Sequence, residues 1–125
     1  ILNNDIVPGI HVCGSETQMK QVVTILLDNA CKYAGLHGTV SVSLKSASHH
    51  AVLTVNNTGE PIPSSDQKHI FERFYRTDKS RVRKEGGYGL GLSIARTIVE
   101  QHKGKITVSS SQEEGTTFTV VLPEL

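Results

Sequence analysis

The chain has 125 residues, of which 37% are hydrophobic and 20% charged, with a formal net charge of +1. These values indicate one globular domain over residues 1–125 with a single hydrophobic core. Its apolar runs are far shorter than the roughly 18 residues that span a membrane, and no signal-peptide pattern opens it, so we expect no direct membrane contact. Because the sequence begins at Ile1 and not at methionine, we interpret it as a fragment of a longer protein.

The first half of the chain predicts one long helix followed by two strands. Residues 15–18 fit a capping box, and apolar residues then recur at helical spacing, which predicts a helix over about Glu16–Tyr33. Cys31 falls within this helix, where we expect a buried, reduced thiol. The two cysteines and six scattered histidines form no zinc-ligand pattern. Alternating apolar residues over 40–44 and again over 53–55 predict two half-buried strands.

The second half predicts two more helices and two more strands. Residues 64–67 fit a second capping box that opens a short helix, and apolar residues over 92–99 predict a third helix, closed by Gly104 as its C-terminal cap. Alternation over 106–108 and 118–122 predicts the last two strands. Together these elements predict an α/β (α+β) fold. It is a two-layer sandwich in which about three helices cover one face of a mixed, mostly antiparallel sheet.

A glycine-rich segment, GGYGLGLSIA at 86–95, has four glycines in its first six residues and leads into the third helix. Backbone N–H groups of such a loop at a helix N-terminus can bind phosphate, whereas the simpler alternative is a flexible connector. The segment matches neither the dinucleotide fingerprint, because Leu92 replaces the third glycine, nor the P-loop, because no lysine follows Gly91. The preceding segment, 73–85, carries six Lys or Arg against two acidic residues, which indicates a local anion site and argues against a nucleic-acid surface.

Several polar residues interrupt the apolar pattern. Asn29 shares the inward stripe of the first helix and has Lys32 as its neighbour, and an amide oxygen beside an ammonium group suits a Mg²⁺-bound phosphate. Asn57 ends a strand at a turn, where an asparagine commonly bonds its own backbone. Arg73 and Arg76 are either exposed helix-end charges or phosphate ligands. Taken singly, each of these residues is better explained without a ligand.

Five motifs, in order along the chain, resemble the five boxes of the catalytic ATP-binding domain of sensor histidine kinases. This domain is part of the superfamily that includes DNA gyrase, the heat-shock chaperones and the mismatch-repair ATPases. The resemblance extends from about Glu16 to Pro123 and implies a Bergerat-type ATP-binding fold. The motifs are DNACKY at 28–33, NTGEPIP at 57–63, IFERFYR at 70–76, GYGLGL at 87–92 and GTTF at 115–118.

The resemblance implies ATP and Mg²⁺ as ligands, with ADP as the product. By this resemblance Asn29 coordinates the Mg²⁺, Lys32 contacts a phosphate and Arg76 reaches the γ-phosphate, so these three residues are the expected catalytic set. Further residues expected at the nucleotide are Gly59, Ile62, Phe71, Gly87, Tyr88, Gly89, Leu90, Gly91 and Leu92.

The adenine end of the site follows from the same resemblance. Tyr33 would border the nucleotide pocket, Asn57 would accept a hydrogen bond from the adenine amino group, and Thr116 or Thr117 would lie under the ring. Asn57 stands where the family commonly has an aspartate, so the bond becomes weaker and uncharged but keeps its acceptor.

Two other departures affect the loop and the metal. Pro61 replaces the second glycine of its box and stiffens the loop. Ile25 replaces a second asparagine, which weakens the expected metal coordination. In the gyrase-type ATPases a glutamate at this offset activates water, and because isoleucine is no general base, we expect slow hydrolysis.

The implied function is that of a protein-histidine kinase in a two-component system. The domain would bind Mg-ATP and donate the γ-phosphate to a histidine on a separate dimerisation domain of the same protein, with a response regulator downstream. We expect it to be the cytoplasmic part of a membrane-bound sensor. No histidine here has the phosphoacceptor context, so the fragment should not phosphorylate itself. The alternatives are a non-catalytic nucleotide-binding or interaction module and an ATP-hydrolysing conformational switch of the gyrase kind.

Overall fold

The computed structural model describes residues 2–73 and 91–125. Within these ranges five strands and three helices follow one another along the chain. Their bounds are β1 (Leu2–Ile6), α1 (Glu16–Ala34), β2 (Val40–Ala47), β3 (His50–Asn57), α2 (Ser64–Gln67), α3 (Gly91–Gln101), β4 (Lys105–Ser111) and β5 (Gly115–Pro123).

The five strands form one mixed sheet in the order β1-β2-β3-β5-β4. β1 pairs parallel with β2, and every other pairing is antiparallel. The helices pack on one face of this sheet, and the core lies between the two layers. The predicted two-layer α/β sandwich is therefore confirmed. No helix among the described residues is long and apolar enough to cross a membrane.

The core is built from one stripe on each long helix and the alternating inward residues of the sheet. In α1 the fully buried residues are spaced four apart, so they form a single row along the helix. Phe118, at the centre of β5, is the largest of the fully buried side chains. The main core residues are Val22, Leu26, Ala30, Val55, Ala95, Ile98, Val99, Ile106, Phe118 and Val120.

Helix α1 begins as its capping box predicts. The Ser15 hydroxyl accepts a hydrogen bond of 3.2 Å from the Gln18 backbone N–H. The Ser15 N–H donates in turn to His102 Nε2 at 3.1 Å, and His102 Nδ1 donates to the Ile98 carbonyl at 2.8 Å. These bonds require the hydrogen on Nδ1, and the imidazole joins the start of α1 to the end of α3.

Two elements differ from the sequence prediction. β1 was not predicted, because all five of its side chains are exposed and its sequence has no apolar alternation. Helix α2 is preceded by Pro63 at its N-cap, with no side-chain capping bond, so the predicted second capping box over 64–67 is wrong. Pro63 presets the backbone there, and its carbonyl accepts from the N–H groups of Asp66 and Gln67.

Two residue environments differ from those predicted. Gly104 helps to close α3, since its N–H donates to the Val99 carbonyl at 2.9 Å, but the left-handed residue at this end of the helix is Lys103, with φ of 64°. Gly104 is needed for space, because a Cβ there would lie 2.5 Å from the Val121 carbonyl oxygen. Cys31 is exposed, since it follows the buried Ala30 and lies about 100° further around the helix.

Candidate functional site

Three polar side chains lie side by side on the helix-facing side of the sheet. Asn57 pairs with Thr116 across β3 and β5, and Thr116 pairs with Ser110 across β5 and β4. Asn57 and Ser110 each follow an inward apolar residue by two positions, and Thr116 precedes Phe118 by two, so all three project towards the helices. Asn57 is 2% exposed and Thr116 is 3% exposed. A buried polar row therefore continues the hydrophobic core at this end of the sheet.

Asn57 carries a buried acceptor without a partner. Its Nδ2 donates to the Thr58 carbonyl at 2.9 Å, and this bond turns Oδ1 away from Thr58. Oδ1 is enclosed and has no hydrogen-bond partner in the part of the chain described. An unsatisfied buried acceptor costs about 1–3 kcal/mol, so Oδ1 requires a donor from outside the described residues.

The loop after β3 lies close against the end of α1. Gly59 has a φ of 130°, and a Cβ at this position would lie 2.5 Å from the Tyr33 carbonyl oxygen. The loop is held there because Thr58 N–H donates to the Thr39 carbonyl at 3.0 Å and Thr39 N–H donates to Thr58 Oγ1 at 2.9 Å. The structure thus brings Asn57 and Gly59 beside the half of α1 that carries the predicted phosphate and metal residues.

The start of α3 lies beside the same part of α1. Asn29 and Lys32 are both half-buried on α1. One turn before Asn29, Ile25 Cγ2 lies 3.5 Å from where a Cβ of Gly91 would be. Leu92 packs against the core and fixes this end of α3. The first N–H groups of α3 have no partner within the helix, and the helix dipole makes this end attractive to an anion.

The described residues fit a nucleotide and a cation that arrives with it. The orphaned Asn57 acceptor matches an amino group, and Gly59 lets the loop after β3 lie against the end of α1. No group of three or more His, Cys, Asp or Glu residues that could hold a metal occurs in the described ranges. Mg²⁺ usually keeps water and substrate phosphates as ligands beside one or two protein oxygens, so the single amide of Asn29 suits such an ion.

Phe71, one of the residues predicted at the nucleotide, packs against the core. It is half-buried, and its ring meets Phe118 edge-on with centroids 5.9 Å apart and an interplanar angle of 82°. Edge-to-face aromatic pairs of this kind contribute about 0.5–1.5 kcal/mol beyond their buried area. The contact fixes the segment after α2 against the centre of β5.

Thr117 is not brought to the site. It projects from the open face of the sheet, where its Oγ1 accepts a hydrogen bond of 2.9 Å from Asn56 Nδ2. Of the two predicted threonines, only Thr116 stands beside Asn57. The predictions for Arg76, Gly87, Tyr88, Gly89 and Leu90 fall outside the described residues.

Two further residues contact the site that the sequence did not single out. Ser110 Oγ accepts a hydrogen bond of 2.8 Å from the Ile62 N–H, and Gln67 Nε2 donates to the Ile62 carbonyl at 2.7 Å. The available signal was positional, because Ser110 continues the inward alternation of Ile106 and Val108 with a hydroxyl in place of an apolar group.

Comparison with known proteins gives consistent matches. A family model described as "Histidine kinase-, DNA gyrase B-, and HSP90-like ATPase" matches residues 14–125. Sensor histidine kinase RppB of Synechocystis sp. is 42% identical over 123 residues, which are 98% of this chain and 27% of RppB. Sensor protein CiaH of Streptococcus pneumoniae is 44% identical over 102 residues, or 82% of this chain and 23% of CiaH. The chain thus spans about a quarter of the length of these relatives.

Solved histidine kinase structures also resemble this chain. The mycobacterial sensor histidine kinase MprB superposes with a TM-score of 0.88 at 32% identity, covering 98% of this chain and 82% of that one. Histidine kinase ThkA, solved in complex with the response regulator protein TrrA, gives a TM-score of 0.81 at 28% identity, covering 99% and 34%.

Proposed function

This chain belongs to the family of histidine kinase-, DNA gyrase B- and HSP90-like ATPases and is an ATP-binding domain of the histidine kinase type; on that premise we propose how it acts. It binds Mg-ATP and donates the γ-phosphate to a histidine on a separate dimerisation domain. Residues 1–125 form one catalytic domain within a longer sensor kinase. The observation that carries the proposal is the buried, unpartnered Oδ1 of Asn57.

The adenine end of the site is formed by Asn57 and Thr116. Because Nδ2 of Asn57 is engaged by the Thr58 carbonyl, the amide presents Oδ1 as its acceptor, and the adenine amino group supplies the missing donor. Tyr33 and Ile62 border this end, since Gly59 lies close to the Tyr33 carbonyl and Ile62 is hydrogen-bonded to the neighbouring strand. The neutral amide makes a weaker bond than a carboxylate, yet it still requires a donor from the ligand.

The phosphate end is formed by α1 and the start of α3. Asn29 offers an amide oxygen to the cation and Lys32 offers an ammonium group to a phosphate, and the start of α3, which lies beside Ile25 of α1, adds the positive end of a helix dipole. Arg76 is proposed as a further contact to the γ-phosphate. When bound, Mg²⁺ would neutralise phosphate charge, and the chain's own residues hold the triphosphate in place. Phosphoryl transfer depends mainly on such positioning and charge compensation.

The residue beside Gly91 favours transfer over hydrolysis. Ile25 is half-buried and packs against the core at this turn of α1. An aliphatic side chain cannot take a proton from water, so position 25 provides no general base for hydrolysis. The γ-phosphate is therefore kept for a nucleophile supplied by another domain. This argues against a gyrase-type switch, for which steady ATP turnover by the isolated domain would be required.

We propose the parent protein's partners by similarity. ThkA has been solved with the response regulator protein TrrA, and we propose a response regulator as the downstream partner here. We place the domain on the cytoplasmic side of a membrane-bound sensor. None of its histidines lies in a phosphoacceptor context, so the isolated fragment should bind ATP without phosphorylating itself.

The test combines the fragment with a histidine-bearing dimerisation domain from the parent kinase or a related one. Label from [γ-³²P]ATP should reach that domain only when both proteins and Mg²⁺ are present. Asn29→Ala should abolish the Mg²⁺-dependent part, whereas Asp28→Ala, at the neighbouring exposed position, should leave transfer intact. Nucleotide binding without any transfer would favour a non-catalytic module. Unchanged transfer by Asn29→Ala would contradict the proposed role of Asn29 as a metal ligand.

A further inference from the structure

We propose that Ser110 and Gln67 are positioning residues that hold the loop after β3, residues 58–63, in the place that nucleotide binding requires. The inference rests on the nucleotide-binding function proposed above and extends it to two side chains outside the five motifs. Both act through the backbone of Ile62, so neither has to touch the nucleotide. Their contribution is to nucleotide affinity and not to the transfer step.

Both peptide groups of Ile62 are held by side chains from other elements. The Ile62 N–H donates to Ser110 Oγ of β4 at 2.8 Å, and the Ile62 carbonyl accepts from Gln67 Nε2 of α2 at 2.7 Å. The Gln67 N–H also donates to the Pro63 carbonyl at 3.0 Å, so this residue binds two successive carbonyls. The Ile62 side chain packs against the core. The end of the loop is thereby fixed to the sheet and to α2.

The two prolines beside Ile62 increase the importance of these bonds. Pro61 and Pro63 have no N–H, so within residues 61–63 only Ile62 can donate a backbone hydrogen bond. The proline rings also fix φ, which makes this part of the loop stiff. Bonds to Ile62 therefore determine the position of the whole segment 61–63.

Ser110 closes a ring of contacts around the adenine end of the site. Its hydroxyl accepts from the Ile62 N–H and also lies 2.7 Å from Thr116 Oγ1. Thr116 pairs with Asn57 across β5 and β3, and the chain runs from Asn57 through the loop back to Ile62. The ring is closed whichever of the two hydroxyls donates. It fixes where Ile62 lies relative to the buried Oδ1 of Asn57.

A loop that is held in place before the nucleotide arrives loses less conformational entropy on binding, so binding is tighter. ATP and ADP share the adenine, so loss of either hold should weaken both nucleotides by the same factor. The γ-phosphate is proposed at the other end of the site, beside α1 and α3. The loss should therefore be equal for bound ATP and for the transition state, which raises KM and leaves kcat unchanged.

The first test measures ATP and ADP binding by titration calorimetry in Ser110→Ala and Gln67→Glu. The glutamate keeps the length of the side chain but replaces the Nε2 donor with an oxygen. Each variant should weaken both nucleotides about twofold to tenfold, as expected for one hydrogen bond, with the number of sites unchanged. Ser110→Thr keeps the hydroxyl and should bind as wild type. The controls Ser109→Ala, on the open face of β4, and Lys68→Ala, exposed beside Gln67, should also bind as wild type.

Two further measurements separate positioning from stability. In the transfer assay with the dimerisation domain, KM for ATP should rise by the same factor as the dissociation constant, while kcat at saturating ATP stays unchanged. In the protein without nucleotide, hydrogen exchange at the Ile62 amide should be faster in Ser110→Ala. It should also be faster in Gln67→Glu, although Gln67 does not bind that N–H, because both side chains hold one stiff segment.

The outcomes distinguish this inference from the proposed function. Unchanged dissociation constants in both variants, a lower number of sites at unchanged affinity, or no recovery with Ser110→Thr overturns the inference while the proposed function stands. Gln67→Glu, at a half-buried position of α2, keeps the test decisive if Ser110→Ala fails to fold. A folded wild-type protein that binds neither nucleotide overturns both.

Discussion

Replacing Asn57 with valine should separate the binding role of this residue from any structural role. The change removes a buried acceptor that has no partner, which relieves a cost of about 1–3 kcal/mol. It also removes the 2.9 Å bond from Nδ2 to the Thr58 carbonyl, a loss of about 0.5–1.5 kcal/mol. Thr58 is exposed, so its carbonyl can bind water instead. Valine also suits a strand and introduces no extra bulk.

The free energy of unfolding of Asn57→Val should therefore lie between a loss of about 0.5 and a gain of about 2.5 kcal/mol relative to wild type. Chemical denaturation without nucleotide measures this difference. Titration calorimetry and the ATP-induced rise in melting temperature then measure binding. The association constant for ATP should fall at least tenfold, and the rise in melting temperature should shrink or disappear. If the variant keeps its free energy of unfolding and loses ATP binding, Asn57 serves the ligand and not the fold.

The adjacent Asn56 is a matched control on the opposite face of β3. Its Nδ2 donates to the Glu114 carbonyl at 2.8 Å and to Thr117 Oγ1 at 2.9 Å, so its donor group is engaged. Asn56→Val should cost about 1–2 kcal/mol of unfolding free energy and leave ATP affinity unchanged. If Asn57→Val proved as destabilising as Asn56→Val and still bound ATP normally, the unpartnered oxygen would have no part in nucleotide recognition.

Three further substitutions test backbone and helix contacts of the fold, each by denaturant unfolding. Gly115→Ala should lower the free energy of unfolding by about 2–4 kcal/mol, because φ is 77° and the new Cβ would lie 2.3 Å from the Asn57 carbonyl oxygen. The control Gly9→Ala has a similar φ of 81° but open space around the new Cβ, so it should lower that free energy by only about 1 kcal/mol. Equal losses would show that the contact with Asn57 is easily relieved. His102→Ala should cost about 1–3 kcal/mol, since it removes the bond from Ser15 that joins α1 to the end of α3 and the bond to the Ile98 carbonyl; no change would show that these bonds are dispensable. Lys103→Gly should gain about 0.5–1 kcal/mol by relieving a left-handed lysine, and a loss would mean that the lysine side chain stabilises the turn.

The sequence predicted those elements whose signals are local. Helix α1 was placed within a residue of its observed end, because a capping box and a row of apolar residues four apart are both short-range features. The alternation in β5 was equally clear. β1 carried no such pattern, since its five exposed side chains owe their strand conformation to pairing with β2.

The candidate site was predictable in its composition but less so in its geometry. The motifs pointed to Asn57 and to a threonine, and alternation with Phe118 puts Thr116 on the helix-facing side of β5, but only the register between β3 and β5 places Thr116 directly beside Asn57. The contacts of Ser110 could not be predicted, because Ile62 is distant in sequence and Thr116 lies on another strand. Local residue types thus indicate which functional groups are present, and strand pairing decides which of them lie next to one another.

The most direct test of the central claim is calorimetric titration of this domain with ATP and ADP, with and without Mg²⁺. The account predicts saturable binding of both nucleotides that Mg²⁺ strengthens for ATP and that Asn29→Ala makes insensitive to Mg²⁺. Failure to bind either nucleotide at millimolar concentration, with the protein folded, would contradict it.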